Sequence, residues 1–288
     1  MVQTIFGASR VWAMQVRNGR LWTLRQAPRF RSYHGPATEP SFTGEVSTLL
    51  PEGDTPDTRA LHFFGEDELE HTSGMGAIFE NGDVAVATTD RRLFVYPDTN
   101  DDVLAARARR PFKLPFAPYD ISITSSDRIA LLEAAGVTLD PLGERGPYSI
   151  RDELFLAYPE RKGTWPTVLR VLDRKGRLLE STTVPFPVLQ PPIDGERGRT
   201  YLAGIGFAAV EAGRIVFTHP SKHVCLATAM LGGNVVLATG EELRFIARDG
   251  TIRHVIRVPP GETITTPPAI GHDGAVWIAT EKTLYVAR

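Results

Sequence analysis

The 288 residues are 42% hydrophobic and 23% charged, with a formal net charge of −2, a composition that supports a packed core. That balance supplies no global field toward nucleic acid or anionic lipid, and no run approaches the roughly 20 apolar residues that cross a bilayer. The single cysteine, Cys225, excludes an intramolecular disulfide and a cysteine-based zinc cluster, which fits a reducing compartment.

Six arginines, from Arg10 to Arg31, precede the first acidic residue, Glu39. An acid-free, arginine-bearing start can be an organelle transit peptide. Trp12 and Trp22 read instead as packing residues, so a structured N-terminus without a secretory signal is expected. Arg10-Val-Trp-Ala-Met and Gly19-Arg-Leu-Trp-Thr-Leu predict the first strands. Ala27 to Glu70 mixes proline, glycine and acidic residues and predicts a long loop or insertion at about 27–70, with Phe63-Phe64 as its one strand candidate. Asp101 to Arg110 is the best helical stretch, and it is short.

Internal similarity is the clearest signal. Ala77-Ile-Phe-Glu-Asn-Gly-Asp-Val-Ala-Val-Ala-Thr88 aligns without a gap on Ala269-Ile-Gly-His-Asp-Gly-Ala-Val-Trp-Ile-Ala-Thr280, and Gly233 to Leu243 aligns on Gly274 to Leu284. In each copy a short apolar strand meets a turn closed by glycine, which supplies a positive φ. A second strand with alternating apolar residues follows (Val84/Val86, Val235/Leu237, Val276/Ile278), and a tight turn leads to a third, such as Leu93 to Tyr96. After the 233 copy, Asp249-Gly250 turns into Thr251 to Val258, and Pro259-Pro260 ends the pairing. The unit is a four-stranded meander of about 40 residues, the size of one propeller blade.

Other segments follow the same grammar. Ile121 to Thr124, Arg128 to Leu132 and Gly136 to Leu139 predict three strands of one blade. Leu154 to Ala157, Val168 to Leu172 and Leu178 to Val184 predict three strands of another. Pro192-Ile193, Thr200 to Ala203, Phe207 to Val210 and Arg214 to Phe217 predict a compressed four-stranded blade. Second strands near 11, 83, 128, 154, 199, 234 and 275 predict seven blades, with six as the alternative because the 128–154 interval is short. The fold class is therefore all-β, a single β-propeller over 1–288. Gln3 to Phe6 is expected to pair with the C-terminal strands and close the ring.

The run Pro267 to Thr280, with Leu284-Tyr285, resembles the repeat of PQQ-like and WD40-like bacterial β-propellers. The resemblance is good over the last 60 residues and fair at 77–96. It implies either quinone-dependent dehydrogenases, with a tryptophan docking motif and a metal-held cofactor, or assembly scaffolds. Trp12, Trp22, Trp165 and Trp277 do not recur at one blade position, and no vicinal cysteine pair exists, so no cofactor is expected.

Propellers place binding groups on loops that join the last strand of one blade to the first of the next. His71, His219 and His223 fall there in this register, and Asp120 sits at a comparable blade entrance. Imidazole and carboxylate suit a metal or small substrate. Histidines near prolines in turns are more commonly solvated, and that is the expectation here. His254 reads as a solvent-facing strand residue, His272 as a turn residue and Cys225 as a small buried hydrophobe. Arg107, Arg109, Arg110 and Lys113 form a basic run that Asp98, Asp101 and Asp102 locally neutralise. No Gly-x-Ser-x-Gly, Walker loop or paired zinc-ligand motif is present. The expected function is a non-enzymatic interaction or scaffold module, monomeric alone and cytoplasmic, with a protein partner and without membrane or nucleic-acid binding. The alternative is an enzyme or ligand-binding propeller using the channel groups.

Overall fold

The computed structural model describes residues 11–17, 20–26, 42–49, 57–63, 74–88, 91–97, 111–136, 165–271 and 273–287. They form an all-β chain divided into two compact units, one of 1–118 with 139–150 and one of 119–138 with 151–288. Among the described residues no helix is long and apolar enough to cross a membrane.

The first unit holds two antiparallel meanders, each of four strands in chain order. One is β1 (Val11–Arg17), β2 (Arg20–Gln26), β3 (Phe42–Leu49) and β4 (Asp57–Phe63). The other is β5 (Gly74–Ile78), β6 (Val84–Thr88), β7 (Arg92–Tyr96) and β8 (Phe112–Lys113). β3 and β4 lie inside the 27–70 stretch that the sequence reads as irregular. Their register, from Phe42↔Phe63 to Thr48↔Asp57, makes most of its second half a regular hairpin. No Asn-Gly or Asp-Gly turn marks it, which is why pattern reading passes over it. The stretch around Asp101 to Arg110 lies outside the described residues.

The second unit begins with β9 (Pro118–Ile123), β10 (Ile129–Ala134), β11 (Thr167–Leu172) and β12 (Leu178–Val184). Sequence reading assigns these strands to two blades, and the structure joins them in one sheet. β10 pairs with β11 from Ile129↔Leu172 to Ala134↔Thr167, which aligns their apolar residues on common faces. The strands expected at 136–139 and 154–157 lie almost wholly outside the described residues. Next come β13 (Ile193–Asp194), β14 (Arg199–Gly204), β15 (Gly206–Glu211) and β16 (Arg214–His219), as expected. β17 (Cys225–Ala229), β18 (Val235–Thr239), β19 (Glu242–Ile246) and β20 (Ile252–Arg257) form the next sheet. β21 (Ala269–Ile270), β22 (Val276–Ala279) and β23 (Leu284–Ala287) form a three-stranded one. The described strands thus make six sheets. Gln3 to Phe6, the expected partner of the last, lie outside the described residues.

One turn recurs in five of the hairpins. At Phe79–Asp83, Thr124–Arg128, Asp173–Arg177, Ala247–Thr251 and Gly271–Ala275 the first N–H donates to the fifth carbonyl and the fourth N–H to the first. The fourth residue has positive φ each time, from 63° at Asp127 to 90° at Gly82. This is a three-residue loop with a bulged left-handed residue, whose twist matches the strands it joins. Met230–Asn234 shares the outer hydrogen bond, with Gly233 at φ 73°. Gly82 and Gly274 are therefore equivalent corners, and Gly233 takes a similar φ at the same place in a turn where Gly232 is left-handed as well.

The core of the second unit lies between its sheets. On β18, Val235 and Leu237 pack with Tyr201, Phe207 and Cys225 of the preceding strands, while Val236 and Ala238 pack with Val276 and Ile278 of the following sheet. Period-two alternation thus feeds two cores from one strand. Polar locks join the layers. Tyr201 Oη donates to Gly233 O at 2.6 Å, and the Gln190 amide takes the place of a ladder partner on β17. Its Nε2 donates to Ala227 O at 2.7 Å while its Oε1 accepts from Ala227 N at 2.8 Å.

Two glycines separate two causes. A Cβ on Gly204 would lie 1.9 Å from Pro187 O and 2.7 Å from Val188 Cα, whereas one on Gly274 would meet nothing within 4 Å, and only its φ of 80° resists substitution. Gly274→Ala is expected to cost about 1 kcal/mol, and Gly204→Ala upward of roughly 3 kcal/mol because backbone must move. Urea unfolding of both variants measures the difference, and equal costs would contradict this packing.

Candidate binding groove

Three of the four sequence-predicted site residues, Asp120, His219 and His223, fall among the described residues. His71 lies outside them. Asp120 is buried in β9, where its Oδ1 accepts the Ile121 amide at 2.9 Å. His219 ends β16, stacked on Phe207 with ring centroids 6.4 Å apart and edge-on to Phe217 at 5.5 Å. Its Nε2 lies 2.9 Å from Gly250 O, and since a carbonyl only accepts, that nitrogen carries the proton and holds the β19–β20 turn. His223 is exposed, with its backbone N–H donating to Ser221 Oγ at 3.0 Å. No group of three histidine, cysteine, aspartate or glutamate side chains placed to hold a metal occurs among the described residues. Cys225 is buried in β17, in the core between the sheets.

A different site lies between β16 and the β19–β20 hairpin, an open groove of about 440 Å³ lined by Arg199, Val216, Asn234, Ala247, Arg248, Asp249 and Arg253. Two of these residues owe their position to one irregularity. Along β15–β16 the register passes from Ala209↔Phe217 to Val210↔Ile215, which leaves Val216 as the extra residue of a bulge. Along β19–β20 it passes from Phe245↔His254 to Ile246↔Ile252, which leaves Arg253. β12 repeats the device with Leu179, between Val171↔Glu180 and Leu172↔Leu178. A bulge bends the outer strand and re-aims the unpaired side chain. Val216 and Arg253 are accordingly exposed.

Arg199 is the groove's fixed element. Its side chain is only 6% exposed, yet it is fully engaged. Nε and Nη2 donate to Glu211 Oε2 at 3.0 and 2.5 Å, and Nη1 donates to the Arg248 carbonyl of the next sheet. Arg248 itself reaches Glu211 Oε1 only at 3.8 Å with its side chain 31% exposed, and Arg253 reaches Asp249 Oδ2 at 3.5 Å while 66% exposed. The hydrogen bond from Arg199 holds the Glu211 carboxyl below the usual carboxylate range, with the positive charge of Arg199, Arg248 and Arg197 acting in the same sense. The Thr251 amide does the same for Asp249, helped by the charge of Arg253. Both acids are therefore ionised at neutral pH, and the three arginines leave one positive charge in excess.

Sequence reading missed this site. It takes Thr251 to Val258 as a strictly alternating strand, and neither bulge residue bears a local mark. The one available signal is the recurrence of a fourth strand that is one residue longer than its partner requires.

No protein-family model matches the chain, and no curated protein matches it. Among solved structures, YCF48 bound to D1 peptide superposes with a TM-score of 0.55 at 10% identity, covering 97% of this chain and 78% of that one. A protein of unknown function from Bacteroides caccae gives 0.46 at 8% identity, over 81% and 78% of the two chains. The YCF48 likeness, with the four-stranded antiparallel sheets, identifies the fold as β-propeller-like.

Because Glu211 titrates below its unfolded value, its contribution to stability is present above roughly pH 4.3 and is lost as pH falls through the lowered value. Glu211→Gln should cost about 1 kcal/mol at pH 7, after allowance for the solvent exposure of this carboxylate. The gap from wild type should narrow progressively as pH falls below about 4.3 and the Glu211 carboxylate takes up its proton. Thermal melts across pH 3–8 measure it, and a gap that stays constant with pH would remove the ion pair from the account.

Proposed function

We propose that the chain is a protein-binding β-propeller, a rigid module of one domain over 1–288 that presents a face to a peptide segment of another protein. The sheets serve as blades, and an N-terminal strand around Gln3 to Phe6 closes the ring on β23. The observation that carries the reading is the likeness over almost the whole chain to YCF48, a protein whose structure holds a D1 peptide. The stacked sheets of the second unit support it, because a surface built on cores shared between sheets holds its shape without a partner. Ring closure is supported by β23, which has a ladder partner on one side only among the described residues and carries Leu284 at 62% exposure.

Two measurements test the parts separately. Deleting residues 2–8 should lower the melting temperature by roughly 10 °C, the equivalent of several kcal/mol in a chain of this size. An unchanged melting temperature would sink the closure and leave the sheets as an open array. For function, a photo-crosslinking residue placed at position 215, exposed on β16 beside the groove, should label one protein reproducibly in cells, while the same probe at Lys175 should not. Labelling no stronger than at Lys175 would count against protein binding through this face.

A further inference from the structure

The observations that carry furthest are the spare cations and the apolar lining residues of the β16/β19–β20 groove. Arg199 is 6% exposed and commits Nε and Nη2 to Glu211 and Nη1 to the Arg248 carbonyl, so its main part is to shape the site. Arg248 and Arg253 are different, since their closest carboxylate approaches are 3.8 and 3.5 Å, longer than a charge-assisted hydrogen bond. A guanidinium at that distance keeps most of its fork available for a bidentate carboxylate. Val216 and Ala247 line the same groove, and Val216 is exposed beside Ile215, which is also exposed on the outer strand. The groove therefore sets two guanidinium heads without short carboxylate contacts beside apolar side chains.

From this geometry we infer that the groove takes an extended acidic peptide, with a carboxylate side chain on Arg248 and Arg253 and a neighbouring apolar side chain on Val216. The inference rests on the protein-binding reading above and names the class of partner. Charge complementarity selects this occupant. A single excess positive charge, bordered by Asp249 and Glu211, suits one or two carboxylates. It is too little for a phosphate backbone, whose binding needs several cations in a row, and no aromatic ring lines the groove to stack a base.

The test uses the full chain and a fluorescein-labelled nine-residue peptide alternating valine and glutamate, with a glutamine counterpart and a single-stranded thymidine oligomer as controls. Fluorescence anisotropy at low salt should show saturable binding of the glutamate peptide. Affinity should fall tenfold or more with the glutamine peptide and in Arg248→Ala/Arg253→Ala, and Val216→Asp should weaken it similarly. Arg248→Lys/Arg253→Lys keeps the charge and loses the fork, so it should fall between wild type and the alanine pair. All three positions are outside the shared cores, and matching melting temperatures check that the variants fold. Absence of saturable binding, a smaller loss in the alanine pair, or tighter binding of the oligomer would overturn the inference. A partner labelled at position 215 that is retained undiminished by Arg248→Ala/Arg253→Ala would overturn the groove chemistry while leaving the protein-binding reading intact.

Discussion

A strand that is apolar on both faces has no side to turn toward water, and much of the second unit follows from that constraint. Val235, Val236, Leu237 and Ala238 are all buried, although successive side chains point in opposite directions. Such a strand can be satisfied only between two other sheets. The sheet of β17–β20 thus requires a neighbour on each face, and the sheets on both sides supply them. Stacking then leaves the backbone of the first strand in each sheet without a second ladder partner. Gln190 answers this on β17 by imitating a strand with its amide.

The same constraint decides how much of the fold was legible in the sequence. Where the turn is carried by glycine, at Gly82, Gly233 and Gly274, the hairpin is visible because few other residues adopt its φ without strain. Asp127 fills the equivalent corner at φ 63°, and that turn is harder to see. The pairing of β10 with β11 was not legible, because the chain between Ala134 and Thr167 is long enough to suggest a separate sheet, and loop length costs little entropy. β3 and β4 were missed for the opposite reason, a hairpin built with neither glycine pair nor strict alternation.

The groove was less legible still. Arg199 sits in a sequence of charged and small residues, Gly195 to Thr200, that reads as a surface turn, yet it is among the most buried charges described. Burial of a guanidinium is tolerable only when its donors are matched, and Glu211 lies twelve residues away on the adjacent strand, where only the register reveals it. Val216 and Arg253 depend on a relation between two strands, an extra residue on one with none on the other. A bulge of that kind also spoils an outer strand as a template for edge-to-edge pairing, so the device that protects the sheet edges is the one that turns side chains into the groove.

These facts explain why the groove keeps charge to spare. Glu211 could in principle neutralise either Arg199 or Arg248. Arg199 is buried and cannot be left unmatched, so it takes the short bidentate contact, and Arg248 is held at 3.8 Å from the other oxygen. The carbonyl of Arg248 is fixed by the same guanidinium, which anchors its backbone while its side chain stays half in solvent. A buried clamp therefore sets both the position and the residual charge of the exposed residue beside it. Weakening that clamp would be felt first as a change in what the surface attracts, because Glu211 would then be available to Arg248 and the local excess of positive charge would no longer point outward.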